Sequence, residues 1–269
     1  MSDETPAVGT VQLGNLTVSR LILGGNTFSG FSHQNPERDR EMLDYFTMAN
    51  IQKLFKQAED LGIDTFLGRA DRHVQRALRE YWNDGGKLQW IAQTCSEYVS
   101  LPRTISEAAG AGANSIYLHG GKMDFFLAQD QWDEVPAAIE QIRELGLPVG
   151  MAGHNPGVFE WAEANVDVDY YMCCYYNPSR RDENAEHVHG SVEIYAEEDR
   201  EAMMATIAGL SKPVIHYKIF AAGRNDPREA FTYAARHMRP QDAVCIGIFP
   251  KDNPDMLVQD VALFKEMVG

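Results

Sequence analysis

Residues 145–157, Leu145-Gly-Leu-Pro-Val-Gly-Met-Ala-Gly-His-Asn-Pro-Gly157, contain one complete passage from a helix through a strand to the next helix. Gly146 follows a stretch of helical spacing, at the place where a left-handed glycine commonly ends a helix. Val149–Ala152 is a short apolar run with the length of a buried strand. His154 then stands between this strand and a second helical stretch, Gly157–Ala164. The arrangement predicts a βα unit with a polar residue at the end of its strand.

The same unit recurs through the whole chain. The predicted strands are Arg20–Gly24, Thr65–Gly68, Leu88–Thr94, Ser115–His119, Val149–Ala152, Tyr170–Tyr175, Val214–Phe220 and Ala243–Ile248. The predicted helices are Ile51–Leu61, His73–Tyr81, Thr104–Ala111, Glu134–Leu145, Gly157–Ala164, Ala196–Leu210, Pro227–His237 and Asp255–Met267. Eight alternating units in about 250 residues, with no Pro/Gly-rich linker, predict an α/β protein with a single (β/α)8 TIM barrel domain over residues 1–269. The alternative is a doubly wound open sheet.

The composition excludes several classes of protein and partner. Of 269 residues, 44% are hydrophobic, and 39 acidic side chains against 24 basic ones give a net charge of −15. A chain of this size can bury a core without a disulfide or a metal, and it is not of the disordered class. Its negative charge opposes binding to nucleic acid or to an anionic membrane surface. We therefore expect a soluble, cytoplasmic protein with a small-molecule substrate, and the sequence leaves a homo-oligomer open.

Neither the apolar runs nor the cysteines indicate a membrane or an oxidising compartment. The longest apolar runs, such as Pro213–Ala222, are shorter than the roughly 20 residues that a bilayer requires. The first ten residues do not resemble a signal peptide. The cysteines lack the spacing of a disulfide framework or a zinc ribbon, and we expect buried thiols. They are Cys95, Cys173, Cys174 and Cys245.

Two predicted connections are longer than the rest, 26–49 after the first strand and 177–195 after the sixth. Both follow the C-terminal ends of strands, the face on which barrel enzymes build their active sites. Long connections there usually serve as lids or substrate walls. The second one contains His187 and His189, which resemble a chelating pair but are more often solvated loop residues.

Polar side chains stand at or just after the C-terminal end of every predicted strand. In strand order they are Asn26, Arg69, Gln93 with Thr94, His119, His154, Cys173 with Asn177, His216 with Lys218, and Lys251. Each costs about 1–3 kcal/mol when it is buried without a partner, so a ligand, a metal or one another must satisfy them. Basic residues are sparse overall, yet Arg69, Lys218, Arg224 and Lys251 are all predicted on this face. A locally cationic mouth suits a small anionic or electron-rich substrate.

The seventh predicted strand, Val214–Phe220, alternates polar and apolar residues. Period-two alternation places His216 and Lys218 on one face and Ile215 and Tyr217 on the other. We expect the apolar set to pack beneath the helices, which leaves His216 and Lys218 pointing into the barrel mouth. The competing interpretation is a structural hydrogen-bonded pair at the strand end.

Three imidazoles on nearby strands admit two kinds of chemistry. His119, His154 and His216, together with Cys173, could supply a nitrogen and sulfur metal site with one open position. The same imidazoles could act without a metal as general acids or bases near neutral pH. A structural role is the third interpretation, because no short spacing such as HExxH fixes a geometry.

Several segments resemble the aldo-keto reductases, in the order in which that family has them. They are Leu16–Gly30 for the opening strand, Ala58–Asp64 for the first helix and second strand, Ile116–His119 for the fourth strand, Tyr175–Pro178 for the sixth, and Ile219–Arg224 and Ile246–Phe264 towards the end. The likeness spans nearly the whole chain and implies a (β/α)8 barrel with its site at the C-terminal face. It also implies that His119 is the family's active-site histidine.

The other catalytic residues of that family have no clear counterpart. The family combines Asp, Tyr, Lys and His, whereas this chain has Leu67 at the Asp position and Gln93 or Thr94 at the Lys position. The region that should supply the Tyr is Arg69–His73. Without that Tyr, ketone reduction lacks its proton donor.

The segment that holds the nucleotide phosphate in many family members is altered too. Lys251 matches the family's lysine and is the candidate cofactor-binding residue, but Asp252 follows it and Leu257 stands near the arginine position. An Asp at this place repels a phosphate, and the chain has neither GxGxxG nor GxxxxGK[ST]. NAD(P)H is therefore less favoured as a cofactor than a divalent metal.

The leading hypothesis is a barrel enzyme that acts on a small polar carbonyl or polyhydroxy compound, for example one derived from a sugar, by isomerisation, elimination or retro-aldol cleavage. His119 and His154 would be acid/base groups or metal ligands, and Lys218 and Arg69 cationic electrophiles, with His216 completing the cluster. The predicted substrate-binding residues are Asn26, Gln93, Tyr176, Asn177 and Arg224. The alternatives are a divergent NAD(P)H-dependent oxidoreductase that uses His119 and Lys218, and a non-catalytic ligand-binding or regulatory protein.

Overall fold

Eight parallel strands form a closed barrel in the computed structural model, which describes residues 8–95, 100–179, 181, 184 and 192–269. The strands are β1 (Thr10–Leu13), β2 (Leu16–Ser19), β3 (Leu21–Gly24), β4 (Thr65–Arg69), β5 (Gln89–Gln93), β6 (Ser115–Leu118), β7 (Val149–Gly153), β8 (Tyr170–Cys174), β9 (Val214–Tyr217) and β10 (Ala243–Gly247). The helices are α1 (Pro36–Tyr45), α2 (Met48–Asp60), α3 (Arg72–Asn83), α4 (Leu101–Gly110), α5 (Gly120–Gln129), α6 (Glu134–Glu144), α7 (Pro156–Asn165), α8 (Glu197–Gly209), α9 (Pro227–His237) and α10 (Met256–Met267). Strands β3 to β10 pair in sequence order, and β10 pairs with β3. The predicted (β/α)8 barrel is confirmed, and the open-sheet alternative is wrong.

Both faces of the barrel strands are apolar. One set of side chains fills the barrel interior and forms one buried cluster; it includes Ile22, Leu67, Ile91, Tyr117, Ala152, Tyr170, Met172, Ile215 and Cys245. The alternate residues, such as Phe66, Trp90 and Tyr171, belong to a larger cluster beneath the helices. Burial on two faces is what a parallel sheet covered by helices requires.

Strand β9 has the opposite orientation to the one expected from its sequence. Ile215 and Tyr217 belong with the barrel interior, and His216 points out towards the helices. The prediction was wrong because the interior of a barrel is itself apolar, so an apolar side chain does not identify the helix-facing side. The strand ends at Tyr217, and Lys218 has a left-handed backbone with φ of 56°. Lys218 therefore reaches the mouth by a turn of the chain and not by strand alternation.

A short antiparallel hairpin, β1 with β2, covers the N-terminal end of the barrel. Its Val11, Leu13 and Val18 pack into the same cluster as the barrel interior. The turn needs a glycine, because Gly14 has φ of +60° and a Cβ there would lie 2.9 Å from Cγ of Asp169. With this end covered, the interior side chains are approached from the C-terminal face.

Two helices were not predicted, and both lie next to the C-terminal face. Helix α1 lies within 26–49, which was expected to be a long loop. It begins where the Asn35 side chain accepts a hydrogen bond from the Arg38 N–H and Pro36 starts the first turn, but its highly charged sequence has no broad apolar stripe. Helix α5 begins with Gly120 and Gly121, residues that lower helix propensity.

The second long connection, 177–195, is described in part, and His187 and His189 lie outside the described residues. Elsewhere the cysteines are buried free thiols, as expected. In the parts of the chain covered by the structure, no helix has the length and apolarity needed to cross a membrane.

Candidate active site

His154 and Asp124 form a tight pair where β7 meets α5. Nδ1 of His154 lies 2.6 Å from Oδ2 of Asp124. The other oxygen, Oδ1, accepts hydrogen bonds from the backbone N–H of His154 at 2.9 Å and of Asn155 at 3.0 Å. These contacts fix the imidazole and place the proton on Nδ1, so that Nε2 carries the free lone pair.

The lone pair of His154 faces the hydroxyl of Tyr217, on the neighbouring wall of the barrel mouth. The two atoms, Nε2 and the phenol oxygen, are 3.3 Å apart. Helix α5 can approach this closely because Gly120 has no side chain: a Cβ there would lie 3.2 Å from the Tyr217 hydroxyl and 3.3 Å from Cε1 of His154. Asp124, His154 and Tyr217 thus form a hydrogen-bonded chain, which we call the inner triad.

Burial keeps the last two members of the inner triad neutral. It raises the pKa of Tyr217 well above the ordinary value for a phenol. It lowers the pKa of His154, although the Asp124 carboxylate opposes that effect. A neutral phenol beside a neutral imidazole can pass a proton in either direction, and Asp124 stabilises the imidazolium that forms when His154 accepts it.

Tyr217 belongs to the lining of a cavity of about 470 Å³ at the C-terminal face. Its floor consists of barrel-interior side chains, namely Leu67, Gln93, Tyr117, Met172, Tyr217 and Cys245. Lys218 and Asn26 stand on its wall. The Tyr117 hydroxyl donates a 2.8 Å hydrogen bond to Oε1 of Gln93, which fixes the amide at the floor. Of the predicted substrate-binding residues, Asn26 and Gln93 therefore line the cavity.

His119 lies among positive charges at the same end of the barrel. Burial holds the pKa of His119 well below its ordinary value, and the charges of Arg69, Arg181 and Lys218 lower it further, as does His154 in its protonated form. Its Nδ1 is buried and has no hydrogen-bond partner among the residues that the structure describes. A ligand that donates a hydrogen bond would satisfy this atom.

His119 faces a second cavity, also of about 470 Å³, between the starts of α4 and α5 and the side of α6. Thr94 and Lys122 line it as well, and the backbone N–H of His119 donates to Oγ1 of Thr94 at 3.0 Å. The two predicted catalytic histidines thus have different surroundings. His154 reaches the first cavity through Tyr217, whereas His119 lines the second.

Two carboxyl groups and one guanidinium, that of Arg38, line the first cavity near α1 and α10. The carboxyl groups are those of Asp252 and Asp260, and burial raises the pKa of Asp260 to about 7. Arg38 of α1 pairs with Asp252. Lys251, the predicted cofactor-binding residue, pairs with Glu41 of α1 at 3.4 Å.

The predicted four-ligand metal set is not formed, because His216 and Cys173 lie on the helix-facing side of their strands. Nδ1 of His216 lies 3.1 Å from the Tyr175 hydroxyl, and Nε2 lies 3.4 Å from Oδ2 of Asp242. We call Asp242, His216 and Tyr175 the outer triad. Across residues 8–95, 100–179, 181, 184 and 192–269, no three His, Cys, Asp or Glu side chains gather as metal ligands.

Three predicted substrate contacts hold loops together instead of lining the first cavity. The Tyr176 hydroxyl accepts a 2.8 Å hydrogen bond from Asn225. Arg224 donates to the carbonyl oxygens of Ala221 at 3.0 Å and His33 at 3.2 Å. The backbone N–H of Asn177 donates to Asp199 at 3.1 Å.

The sequence analysis missed Asp124, Tyr217 and Arg181. Asp124 lies in the helix that was not predicted, and Tyr217 was placed on the wrong face of its strand. Arg181 lies within the long connection 177–195, where the sequence offers no periodicity to place a side chain. One signal in the sequence could have identified Asp124, which follows His119-Gly-Gly by about one helical turn. A helix that starts directly after a barrel strand begins at the C-terminal face, so a polar residue in its first turns lies near the site.

Comparisons with known proteins support the fold. Neither protein-family models nor curated proteins match the chain. Two solved structures, each described as a candidate aldo-keto reductase from Pseudomonas aeruginosa, are similar to it: one is 17% identical over 100% of both chains with a TM-score of 0.65. The other is 18% identical over 97% of this chain and 96% of that one, with a TM-score of 0.62.

Enzymes with other names share the fold. The N-acetylmannosamine-6-phosphate 2-epimerase from Clostridium perfringens is 13% identical, with 90% of this chain and 93% of that chain covered and a TM-score of 0.58. Identities this low are informative about fold and not about reaction. The chain has an aldo-keto-reductase-like (β/α)8 barrel fold.

Proposed function

We propose that this chain is an enzyme that moves a proton beside the carbonyl group of a small anionic compound, in an isomerase-type or lyase-type reaction. The observation that carries the proposal is the inner triad, because its Tyr217 is one of the residues that line the cavity. A hydroxyl backed by an oriented histidine and a buried carboxylate is the arrangement by which enzymes activate a weak acid or base.

The inner triad would act as a proton relay. When Tyr217 takes a proton from the substrate, its own proton passes to Nε2 of His154, and Asp124 stabilises the resulting imidazolium. In the return step His154 gives the proton back through the same hydroxyl. Relays of this kind contribute about 10²–10⁴-fold to a rate.

The positive charges at the mouth would stabilise the oxygen that becomes negative when a carbon beside a carbonyl loses its proton. Lys218 lines the cavity, whereas Arg69 and Arg181 lie at the same end of the barrel outside that lining, where their charges lower the pKa of His119. In a site shielded from water such charges stabilise an enolate more than they stabilise the ketone. The same charges favour a substrate with a carboxylate or a phosphate, in a protein whose net charge is −15.

Proton exchange in D2O tests this function without knowledge of the physiological substrate. Pyruvate and dihydroxyacetone phosphate are suitable probes, because each has exchangeable protons beside a carbonyl and one anionic group. We expect 1H NMR to show exchange above the uncatalysed rate with at least one probe. Tyr170→Phe is the matched control, since the Tyr170 hydroxyl lies in the barrel interior but 2.8 Å from Ser115 and away from the cavity. Absence of catalysed exchange from an extended panel of anionic aldehydes and ketones would contradict the proposal.

Repeating the exchange after treatment with EDTA separates two versions of the mechanism. Retained exchange supports the metal-free relay. Loss of exchange that is restored by a divalent ion supports a version in which His119 and His154 are metal ligands, as the sequence suggested.

A second candidate is NAD(P)H-dependent carbonyl reduction, and one observation favours it. Tyr217 provides a proton donor, the group that the family resemblance left without a counterpart, and the cavity extends from Tyr217 towards the start of α10. Asp260 at that end opposes a phosphate when it is ionised, whereas Asp252 is paired with Arg38. Fluorescence titration with NADPH decides between the two: stoichiometric binding with consumption of NADPH supports reduction. A non-catalytic binding protein would bind a probe and catalyse neither exchange nor reduction.

A further inference from the structure

Backbone strain is concentrated in the segment directly after β9. Lys218, Ala221 and Ala222 have left-handed φ values of 56°, 47° and 55°. Such conformations cost about 1–3 kcal/mol for a residue with a side chain, and they persist where the surroundings enforce them. Here the Ala221 N–H donates to the Lys218 carbonyl at 2.9 Å, and Gln34 donates to the Ala222 carbonyl at 2.8 Å.

The strain has a definite result at Lys218. Continued strand alternation would place this side chain on the helix-facing side with His216, one period away. The left-handed turn places it on the wall of the cavity, next in sequence to Tyr217. Strained residues in such positions are frequently part of an active site.

The surroundings of the Lys218 ammonium differ from those of a lysine in a salt bridge. In the described portion of the chain it forms no hydrogen bond or ion pair, whereas Lys212, before the other end of the same strand, binds Asp167 at 2.6 Å. Glu193 is close enough for Lys218 to help lower its pKa, but that carboxylate is engaged by His33 at 2.9 Å and by Tyr195 at 2.7 Å.

We propose that Lys218 is a catalytic nucleophile that forms an imine with the carbonyl carbon of the substrate. The inference rests on the proposed function, because it assigns the covalent chemistry of the same site. The nearby histidines and Tyr217 supply what this chemistry also needs, which is a group to take the ammonium proton and a group to give protons to the departing oxygen.

The steps balance without any further reactant. The ammonium of Lys218 first gives one proton to His154 through Tyr217, and the neutral amine adds to the carbonyl carbon. The carbonyl oxygen takes up that proton and one proton from the attacking nitrogen, and it leaves as water. The third proton of the original ammonium stays on the nitrogen and is the proton of the protonated imine. The sum is ammonium plus carbonyl giving protonated imine plus water. Loss of a proton beside the protonated imine then gives a neutral enamine, which is easier to form than an enolate.

Reduction with sodium borohydride tests the imine directly. Wild-type protein is incubated with pyruvate or dihydroxyacetone phosphate, reduced, digested and examined by mass spectrometry. We expect a stable adduct on the peptide that contains Lys218 with at least one probe. Lys212→Met is the matched control, because it removes a lysine next to the other end of the same strand and should leave trapping unchanged.

Lys218→Arg separates covalent catalysis from electrostatic catalysis. The guanidinium keeps the positive charge but does not form the imine, so we expect trapping to disappear and proton exchange to fall by at least about 10²-fold. Lys218→Met should behave in the same way, with circular dichroism used to confirm that both variants fold.

The outcomes distinguish the two proposals. Exchange without a trapped adduct, retained by Lys218→Arg, overturns the imine and leaves the proposed function standing. An adduct on another lysine also overturns it. Absence of both exchange and trapping with an extended panel overturns the proposed function and the imine together.

Discussion

Two Asp–His–Tyr triads in the described part of the chain meet at consecutive residues of β9, His216 and Tyr217, but have different surroundings. In the inner triad the imidazole contacts Asp124 through Nδ1 and the Tyr217 hydroxyl through Nε2. In the outer triad the nitrogens are reversed, with Nε2 towards Asp242 and Nδ1 towards Tyr175. The inner triad ends at a cavity, whereas the outer triad lies among buried side chains beneath the helices.

The carboxylates differ in their other partners. Asp242 accepts from the Arg239 guanidinium at 2.9 and 3.0 Å and from the backbone N–H of Val214 at 2.8 Å. Although burial alone would raise it, hydrogen bonds from His216 and Arg239 lower the pKa of Asp242 to about 2. Asp124 binds backbone N–H groups and His154 instead. The same three residue types therefore have different roles. In the outer triad they anchor one strand, whereas in the inner triad they can transfer protons because one member lines a cavity.

The largest contrast is expected between the two tyrosines. Tyr217→Phe should lower the rate of proton exchange by about 10²–10⁴-fold, because it removes the hydroxyl of the triad member that lines the cavity and with it the contact to His154. Tyr175→Phe should leave the rate per folded molecule unchanged and cost about 1 kcal/mol of unfolding free energy. Exchange kinetics and urea unfolding of both variants measure the pair of effects. Equal losses of activity in the two variants would contradict the distinction between the triads.

The two aspartates should show the reverse order in stability. Asp242→Asn leaves the Arg239 guanidinium and His216 without a carboxylate, and we expect a loss of about 3–5 kcal/mol in the free energy of unfolding. Asp124→Asn should lose only about 1–3 kcal/mol, since an amide oxygen can still accept from the backbone. Urea denaturation of both variants, analysed with one common dependence of unfolding free energy on urea concentration, compares the two losses. A larger loss for Asp124→Asn would show that the inner carboxylate is the structural one.

Asp260 extends the comparison to a buried carboxyl whose pKa is governed by burial alone. Burial raises that pKa from 3.8 to about 7, so the stability it contributes is full below about pH 4 and is lost as pH rises to about 7. The free energy of unfolding of Asp260→Asn, measured relative to wild type, should therefore be about 4 kcal/mol higher at pH 8 than at pH 4. Unfolding curves at both pH values provide the measurement. Asp242 should act with the opposite sign, with stability lost as pH falls from about 4 to about 2. If the difference in unfolding free energy between Asp260→Asn and wild type did not change with pH, Asp260 would have to be ionised and paired with a positive group in the folded protein.

The smallest effect concerns the acid limb of the rate profile. The relay needs a neutral His154, whose pKa burial lowers, so exchange should rise with pH through a midpoint below 6.5 and then level off. Asp124 raises that pKa, and Asp124→Asn should therefore move the acid limb to lower pH while it also lowers the plateau. A profile of exchange rate between pH 4 and pH 8 records both changes. An acid limb that stays in place in Asp124→Asn would separate His154 from the titrating group.

The sequence predicted the barrel because each barrel strand is a short, mostly buried and mostly apolar run with a polar residue at or just after its end. It also brought His154, Lys218, Arg69 and Gln93 to the correct face, since parallel strands all end on one side of a barrel. Such reasoning depends on where a strand ends and not on which way its side chains point.

The inner triad could not be assembled in the same way. Strand orientation is ambiguous when both faces are apolar, and this ambiguity exchanged the roles of His216 and Tyr217. Asp124 lies in a helix that begins with two glycines, so local propensity argues against the element that carries it. Lys218 was placed at the mouth for the wrong reason, because a left-handed turn is not encoded by alternation.

Gly120 is a residue by which the inner triad can be recognised in related sequences. Any other amino acid there would bring a carbon atom within 3.3 Å of the Gly153 nitrogen, the Tyr217 hydroxyl and the His154 ring at once. Helix α5 or these three neighbours would have to move apart by a few tenths of an ångström. We therefore expect replacement of this glycine to keep the barrel and to weaken the relay. Among chains with this fold, the combination of Gly120 with Asp124, His154 and Tyr217 should therefore be inherited as a unit or lost as one.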